Sequence, residues 1–235
     1  MHALLHLRQR FLLTSALLVV VLLAGCTTLT AGKKAPSFSK KAVQVPGMLT
    51  VFNQARRTVS PQASDMVELT WDSCLGAATQ AYCQKAADNG GWDGAGTLDY
   101  SSCGSGNYQN LYRDMSQNPV DDARYRSLDI AKVYNAKTGV CSGASPGPCS
   151  TVQIYLNIVA SNTVRVACSA VACLFSPKKV CECCGMYTDP TITPVVGNAS
   201  WTPGTPCSHC PSGYNKYCDS GLCSNQCLTK SCQPL

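Results

Sequence analysis

Histidine is nearly absent from this 235-residue chain, which has three, His2, His6 and His209. Two stand at the very start and one near the end, so the long central region has none. That excludes a Ser-His-Asp or Cys-His catalytic arrangement there, and a zinc site built on two histidines. Glutamate is equally scarce: only Glu68 and Glu182 occur, neither in a motif that positions a substrate. Phosphate loops of the Gly-x-Gly-x-x-Gly or Gly-Lys-Ser/Thr type are missing, as are internal repeats. Charged residues make up 14 % of the chain and the formal charge is +6. Lys33-Lys34 and Lys40-Lys41 supply much of that charge. A nucleic-acid partner would need basic residues clustered on a folded face, so none is expected. A long apolar run is missing too. The stretch Phe11–Ala24 falls short of the about 20 residues that span a bilayer, so no transmembrane span is expected.

What the chain has instead is cysteine, 17 in all. Arg8 and Arg10 followed by Phe11–Ala24 and small residues form a secretory leader, residues 1–26, with cleavage between 24 and 32. Leu23-Ala24-Gly25-Cys26 also resembles a lipobox, in which Cys26 would carry lipid. A cysteine load this high implies an oxidising compartment, hence a secreted, extracellular protein. Residues 27–45, rich in Thr, Lys, Ser and Ala, form a flexible arm.

Beyond Pro46-Gly47, Met48–Val59 has helical periodicity and stops at Ser60-Pro61. Asp72 is an N-cap residue for a helix running to about Ala87, with Trp71, Leu75, Ala78 and Tyr82 on one face. Asn89–Gly96 breaks it, and a further helix is expected over Val120–Ala136, with Asp121 and Asp122 complementing its amide dipole. Val152, Ile154, Leu156 and Ile158 alternate with polar neighbours, which predicts a half-buried strand. Val164–Cys173 and Lys178–Tyr187 follow as further strands. Helices first and strands later indicate an α+β fold with a small antiparallel sheet. Thr188–Pro206, with four prolines, reads as a linker. Residues 207–235 are too short and polar to form a core and must be held by disulfides.

Six segments together resemble the CAP superfamily, the cysteine-rich secretory proteins, antigen 5 and pathogenesis-related proteins. Phe52-Asn53-Gln54-Ala55-Arg56-Arg57 with Ser60-Pro61 is similar to its first-helix motif His-Asn-x-x-Arg. Met66, Leu69, Trp71 and Asp72, with Ala78 and Cys83, resemble the second-helix signature. Tyr108-Gln109-Asn110-Leu111-Tyr112 stands where the family has Gly-Glu-Asn-Leu. Ala144-Ser145-Pro146 precedes Tyr155–Ala160 and Val164–Cys168, which resemble Gly-His-Tyr-Thr-Gln-x-x-Trp followed by Val-Gly-Cys. Cys207-x2-Cys210-Pro211-Ser212 with Cys218, Cys223 and Cys227 is similar to the hinge of cysteine-rich secretory proteins. The resemblance covers residues 46–228. It implies an α-β-α sandwich over 46–187, a Pro-rich linker over 188–206 and a cysteine-rich hinge over 207–235.

The resemblance also implies a cavity tetrad of two His and two Glu that can bind zinc. Those positions fall here on Ala87, Gln109, Ala136 and Ile154, so no metal or cofactor is expected. It further implies disulfides Cys83–Cys173, Cys103–Cys184 and Cys168–Cys181, with Cys207–Cys218 and Cys210–Cys223 in the hinge. Cys141 with Cys149 and Cys227 with Cys232 are the local pairs that remain, and Cys74–Cys183 follows by exclusion. Sequence alone does not fix connectivity. Cys207-x2-Cys210 with Cys218 and Cys223 could instead mimic a four-thiolate zinc module, which extracellular oxidation opposes. Asn198-Ala199-Ser200 is an N-glycosylation acceptor.

The expected function is non-enzymatic: a secreted, monomeric protein binding a lipid or sterol, or a protein receptor, in a venom allergen-like, defence or immunomodulatory role. The loop Thr138–Val152 would shape or close a ligand mouth. The alternative is an ion-channel-modulating toxin. In the resembled family that activity lies largely in a domain beyond the hinge, where only eight residues follow Cys227 here.

Overall fold

The computed structural model describes residues 41–142, 148–173, 176, 178–192, 200–227 and 229–235. Cys26, the leader, Ala144-Ser145-Pro146 and Asn198 lie outside the described residues. All described residues fall within one compact unit, Ser39–Leu235.

The short strand β1 (Val43–Gln44) leads into helix α1 (Gly47–Arg57), which buries Met48, Val51, Phe52 and Ala55 at helical spacing. Arg56 and Arg57 occupy its last turn, where positive charge suits the carbonyl end of the dipole. Next comes β2 (Thr70–Trp71), then α2 (Ser73–Asp88). Asp72 caps α2: its Oδ1 accepts from the Cys74 and Leu75 amides at 2.8 and 3.0 Å. Its Oδ2 accepts from Arg165 at 2.9 Å.

A ten-residue strand, β3 (Asn107–Ser116), follows. Its mixed, polar composition hid it from the sequence reading, because it is an edge strand with little of its surface buried. The expected 120–136 helix is three consecutive pieces: α3 (Pro119–Arg124), a π-helical turn (Tyr125–Asp129) and α4 (Ile130–Val133). Strands β4 (Tyr134–Asn135) and β5 (Val140–Cys141) form a small hairpin.

Residues 152–158 are not a strand. They form helix α5 (Val152–Val159), with Tyr155, Ile158 and Val159 buried at i, i+3, i+4. Val152, Ile154 and Leu156 are partly buried against the same core, so the helix is apolar around most of its circumference. Periodicity cannot separate such a short apolar helix from a strand.

Strands β6 (Thr163–Ala172) and β7 (Val180–Thr188) form the centre of the main sheet, ordered β1-β6-β7-β3, with β2 parallel to β6. Helix α2 covers one face, where Thr79 and Ser169 hydroxyls meet at 3.0 Å. The other face presents Val166, Cys168, Cys184 and Met186 to the core shared with α1 and α5. This is the three-layer arrangement of mixed helix and antiparallel sheet that the sequence implied.

Sheet register, more than family precedent, decides the disulfides. Cys168 stands directly opposite Cys184, and the two are bonded. Cys173 and Cys181 close the β6–β7 turn. Cys83 on α2 meets Cys183, whose side chain points to the α2 face. Cys74, at the start of α2, bonds Cys103. These four replace the expected Cys83–Cys173, Cys103–Cys184, Cys168–Cys181 and Cys74–Cys183. The structure pairs Cys141–Cys149, Cys207–Cys218, Cys210–Cys223 and Cys227–Cys232.

The Thr188–Pro206 stretch is anchored at both described ends, so it is not a free linker there. Ile192 is buried, and Trp201 is fully buried, its indole donating to the Pro61 carbonyl at 2.9 Å. Asp65 accepts from the Thr202 amide and hydroxyl at 2.9 and 2.7 Å. The hinge shares a small buried cluster with the rest of the chain, where Cys207 and Cys223 meet Val67, Val164 and Ile192. Its sheet, β10 (Cys232–Pro234), β8 (Tyr217–Asp219) and β9 (Leu222–Ser224), docks through buried Leu222 and Cys223.

Two buried polar side chains register α1. Asn53 donates to the Leu69 carbonyl at 2.9 Å and accepts from the Leu69 amide at 2.8 Å. Arg56, 1 % exposed, donates to the carbonyls of Val67, Ile158 and Ala160 at 2.8, 2.7 and 2.8 Å. Replacing Arg56 with Met would leave two buried carbonyls and one part-buried carbonyl without their donor, at about 1–3 kcal/mol for each buried group before relaxation. Urea unfolding of Arg56→Met should therefore show a loss of about 2 kcal/mol or more. A loss under about 1 kcal/mol would show that the carbonyls find other donors.

Candidate functional site

The four tetrad positions do not converge. Ala87 lies buried near the end of α2, in the core beneath that helix. Gln109 is exposed on edge strand β3. Ala136 and Ile154 belong to the core on the other side of the sheet. Apolar side chains at three of the four positions, with an exposed amide at the fourth, offer no metal ligand set. Among the described residues, the one group of three potential ligands within reach of each other is Cys207, Cys210 and Cys223, each held in a disulfide.

Glu182, in the middle of β7, is fully buried. The Tyr112 hydroxyl donates to its Oε2 at 3.4 Å, while Oε1 has no partner. Around it lie Asp114, across the strand pair, and Arg126, which joins Asp114 to Asp122 and stacks 4.8 Å over the Tyr112 ring. Burial pushes the Glu182 carboxyl up to about 8, with Asp122 and Asp114 adding to the effect. Ser116 and Arg126 oppose it. Burial likewise drives the Tyr112 phenol well above its ordinary value. Arg126 is pulled down by burial but held above its usual value by the two aspartates. Sequence reasoning passed over this cluster. The signal was an isolated glutamate in a strand of otherwise core residues, together with the i, i+4 pair Asp122 and Arg126.

Glu182 itself is closed to solvent while Asp114 is open to it, and the cluster fixes the π-helical turn against the sheet. On the turn's outer side a groove opens. One part, about 430 Å³, runs between α1 and the α3–α4 stretch, from Gln54 and Thr58 to Leu128 and Ala131. A second part, about 590 Å³, continues from Ala131 and Lys132 past Val133, Tyr134 and Ala136 to Ser60-Pro61 and Ser142. The two share Ala131 and Lys132. The groove's lining is mixed, with apolar Leu128, Ala131, Val133, Tyr134 and Ala136 among polar Thr58, Ser60, Asn135 and Ser142. Arg124, Lys132 and Lys137 are exposed along it, and Lys132 pairs with Asp129 at 2.6 Å. Among the described residues Arg124 and Lys137 form no ion pair. Thus the one tetrad position that reaches this groove, Ala136, brings only a methyl group to it. The Cys141–Cys149 loop borders this part of the groove through Ser142.

The model of the Cysteine-rich secretory protein family, CAP, matches residues 49–183. The chain belongs to the CAP family. It is 31 % identical over 205 residues to Cysteine-rich secretory protein 3 of Equus caballus, a match covering 83 % of this chain and 74 % of that protein. To Cysteine-rich secretory protein 1 of Mus musculus it is 28 % identical over 197 residues, covering 81 % and 72 %. The solved structure of BmVAL-1 superposes with a TM-score of 0.49 at 14 % identity, over 85 % of this chain and 100 % of that one. No described helix of this CAP protein is long and apolar enough to cross a membrane.

The Glu182 carboxyl sets a pH dependence. Its folded value, about 8, lies above the ordinary 4.5. The folded chain therefore keeps a proton that the unfolded chain releases, and stability falls as pH rises from 4.5 towards 8. The expected loss across that window is on the order of 3–5 kcal/mol. Glu182→Gln should flatten the profile measured by denaturant unfolding between these pH values. An equally steep profile in the variant would assign the effect to other groups.

Proposed function

We propose that this CAP protein is exported and non-catalytic, and that it binds an amphipathic lipid, an acyl chain or sterol bearing an anionic group. The site is the groove between α1 and the α3–α4 stretch. The observation that carries this reading is the juxtaposition of apolar Leu128, Ala131, Val133 and Tyr134 with basic Arg124, Lys132 and Lys137 along one groove of mixed polarity. An apolar cleft with a few well-placed polar groups is the usual form of a small-molecule site. Arg124, Lys132 and Lys137 supply charge complementary to a carboxylate, sulfate or phosphate. The Cys141–Cys149 bridge would stiffen the loop at the groove's end, favouring a preformed mouth.

A non-catalytic role agrees with the chemistry available. The central region has no histidine, and its one strongly shifted carboxyl, Glu182, is sealed beneath Arg126 and Tyr112. Export agrees with eight disulfides among the described residues.

Titration of the full chain with a fluorescent fatty acid and a fluorescent sterol tests the reading. Saturable binding of at least one is expected. The exposed double substitution Lys132→Glu/Lys137→Glu should weaken an anionic ligand by about tenfold or more while leaving the unfolding transition in place. No saturable binding by the wild-type chain would turn the assignment towards a protein receptor. Binding indifferent to the double substitution would remove the site from this groove.

A further inference from the structure

The hinge brings four sulfurs into one small volume. Cys207 sits in a turn with φ 63°, and the Cys210 sulfur folds back to within 3.5 Å of the Cys207 carbonyl. The β8–β9 hairpin sets Cys218 directly opposite Cys223. The Sγ atoms of Cys207, Cys210 and Cys223 all lie within 4.8 Å of one another, and Cys218 is bonded to Cys207. A turn carrying Cys-x-x-Cys beside a hairpin carrying two more cysteines is the frame of a tetrahedral thiolate site. Zinc–sulfur bonds of about 2.3 Å require sulfurs about 3.8 Å apart. Cys210 and Cys223, bonded at 2.01 Å, must therefore separate by about 1.8 Å, while their distances to Cys207 contract by about 1 Å or less.

We propose that reduction of Cys207–Cys218 and Cys210–Cys223 converts the hinge into a four-thiolate zinc site, exchanging two disulfides for one metal ion. Each disulfide takes two electrons from a dithiol or phosphine reductant and yields two thiols. Binding of Zn²⁺ then forms four Zn–S bonds and releases four protons, with no further change of oxidation state. In the oxidised protein the two bridges occupy the same sulfurs, so the states exclude each other.

Accessibility favours this pair of bridges over Cys83–Cys183 and Cys168–Cys184, while Cys74–Cys103, Cys141–Cys149 and Cys227–Cys232 are more exposed than either hinge bridge of the pair. Cys210 and Cys218 are partly exposed, whereas both cysteines of Cys83–Cys183 and of Cys168–Cys184 are fully buried. The hairpin is also held independently of its disulfides. The Cys223 amide donates to the Met66 carbonyl at 2.8 Å, and its carbonyl accepts from the Glu68 amide at 2.9 Å. The site frame therefore stays on the core when the sulfurs are released.

The test treats the full chain with a phosphine until mapping of the alkylated cysteines shows Cys207, Cys210, Cys218 and Cys223 reduced, then adds Co²⁺ as a spectroscopic probe. One Co²⁺ per chain should bind with the intense visible bands of a tetrahedral thiolate centre. Zn²⁺ should displace it and withdraw four thiols from titration. Cys210→Ser/Cys223→Ser, which retains the Cys207–Cys218 bridge, should lose the bands. Cys227→Ser/Cys232→Ser should keep them, so a misfolded first variant does not leave the question open. Absence of thiolate–cobalt bands in the reduced wild-type chain overturns the proposal. Their persistence in the 210/223 variant, or their loss in the 227/232 variant, overturns the assignment to these four sulfurs.

Discussion

The whole arrangement depends on a buried cation in α1. Arg56 is almost wholly removed from water, and burial pulls its guanidinium down to about 9, with Asp65 partly restoring it. Such a group is costly to bury unless its donors are used. Here Nε and Nη1 are spent on carbonyls of two separate segments, Val67 ahead of α2, and Ile158 and Ala160 where α5 ends, while Nη2 is left without a partner. The negative end of the α5 dipole faces the cation, which adds to the attraction. Asn53, one turn earlier, bonds both backbone groups of Leu69. Hydrophobic burial would hold α1 on the core in several registers, whereas these bonds select one. The same constraint extends outward, since Asp65 anchors Thr202 and, next to it, the buried Trp201.

The two faces of the sheet are secured by different means. On the α2 side a covalent bond, Cys83–Cys183, ties helix to strand. On the opposite side no disulfide among the described ones joins a helix to the sheet. There Arg126, its two aspartates, Tyr112 and the protonated Glu182 perform the attachment. The groove lies on this hydrogen-bonded side, with α1 as one wall and the π-helical turn and α4 as the other. Ligand sites tend to occupy the less rigid parts of a fold, and this division of cross-links accords with that.

Much of the fold was legible in residue pattern. Met48–Val59, the Asp72 cap and the long strands after Asn162 each had a local signature that tertiary structure respected. The misreadings share a cause: a property set by neighbours and not by the segment itself. Val152–Val159 alternates like a strand, yet it is packed on several sides, so alternation carried no information. Asn107–Ser116 is an edge strand, and its polar residues concealed it. Cysteine pairing depends on the β6–β7 register, which counting along the chain cannot supply. Of the candidate site, the loss of histidine chemistry was legible from composition. The groove was not, because Gln54, Lys132 and Ser60 line it only after α1 packs on α3 and the π-helical turn. The Glu182 cluster was half legible: the glutamate was conspicuous, but its burial beneath Arg126 follows from helix placement.

The decisive property is therefore a groove of mixed apolar and basic lining, held by a buried arginine clamp and bordered by Ala136, where the CAP pattern implies a metal ligand. Native mass spectrometry of the full chain as secreted by its expressing cells examines that property most directly. A bound species with the mass of a single fatty acid or sterol, retained at low collision energy and absent when Ala131→Trp fills the groove, is the expected result. A chain that emerges ligand-free, or that keeps its ligand unchanged in the Ala131→Trp variant, would contradict it.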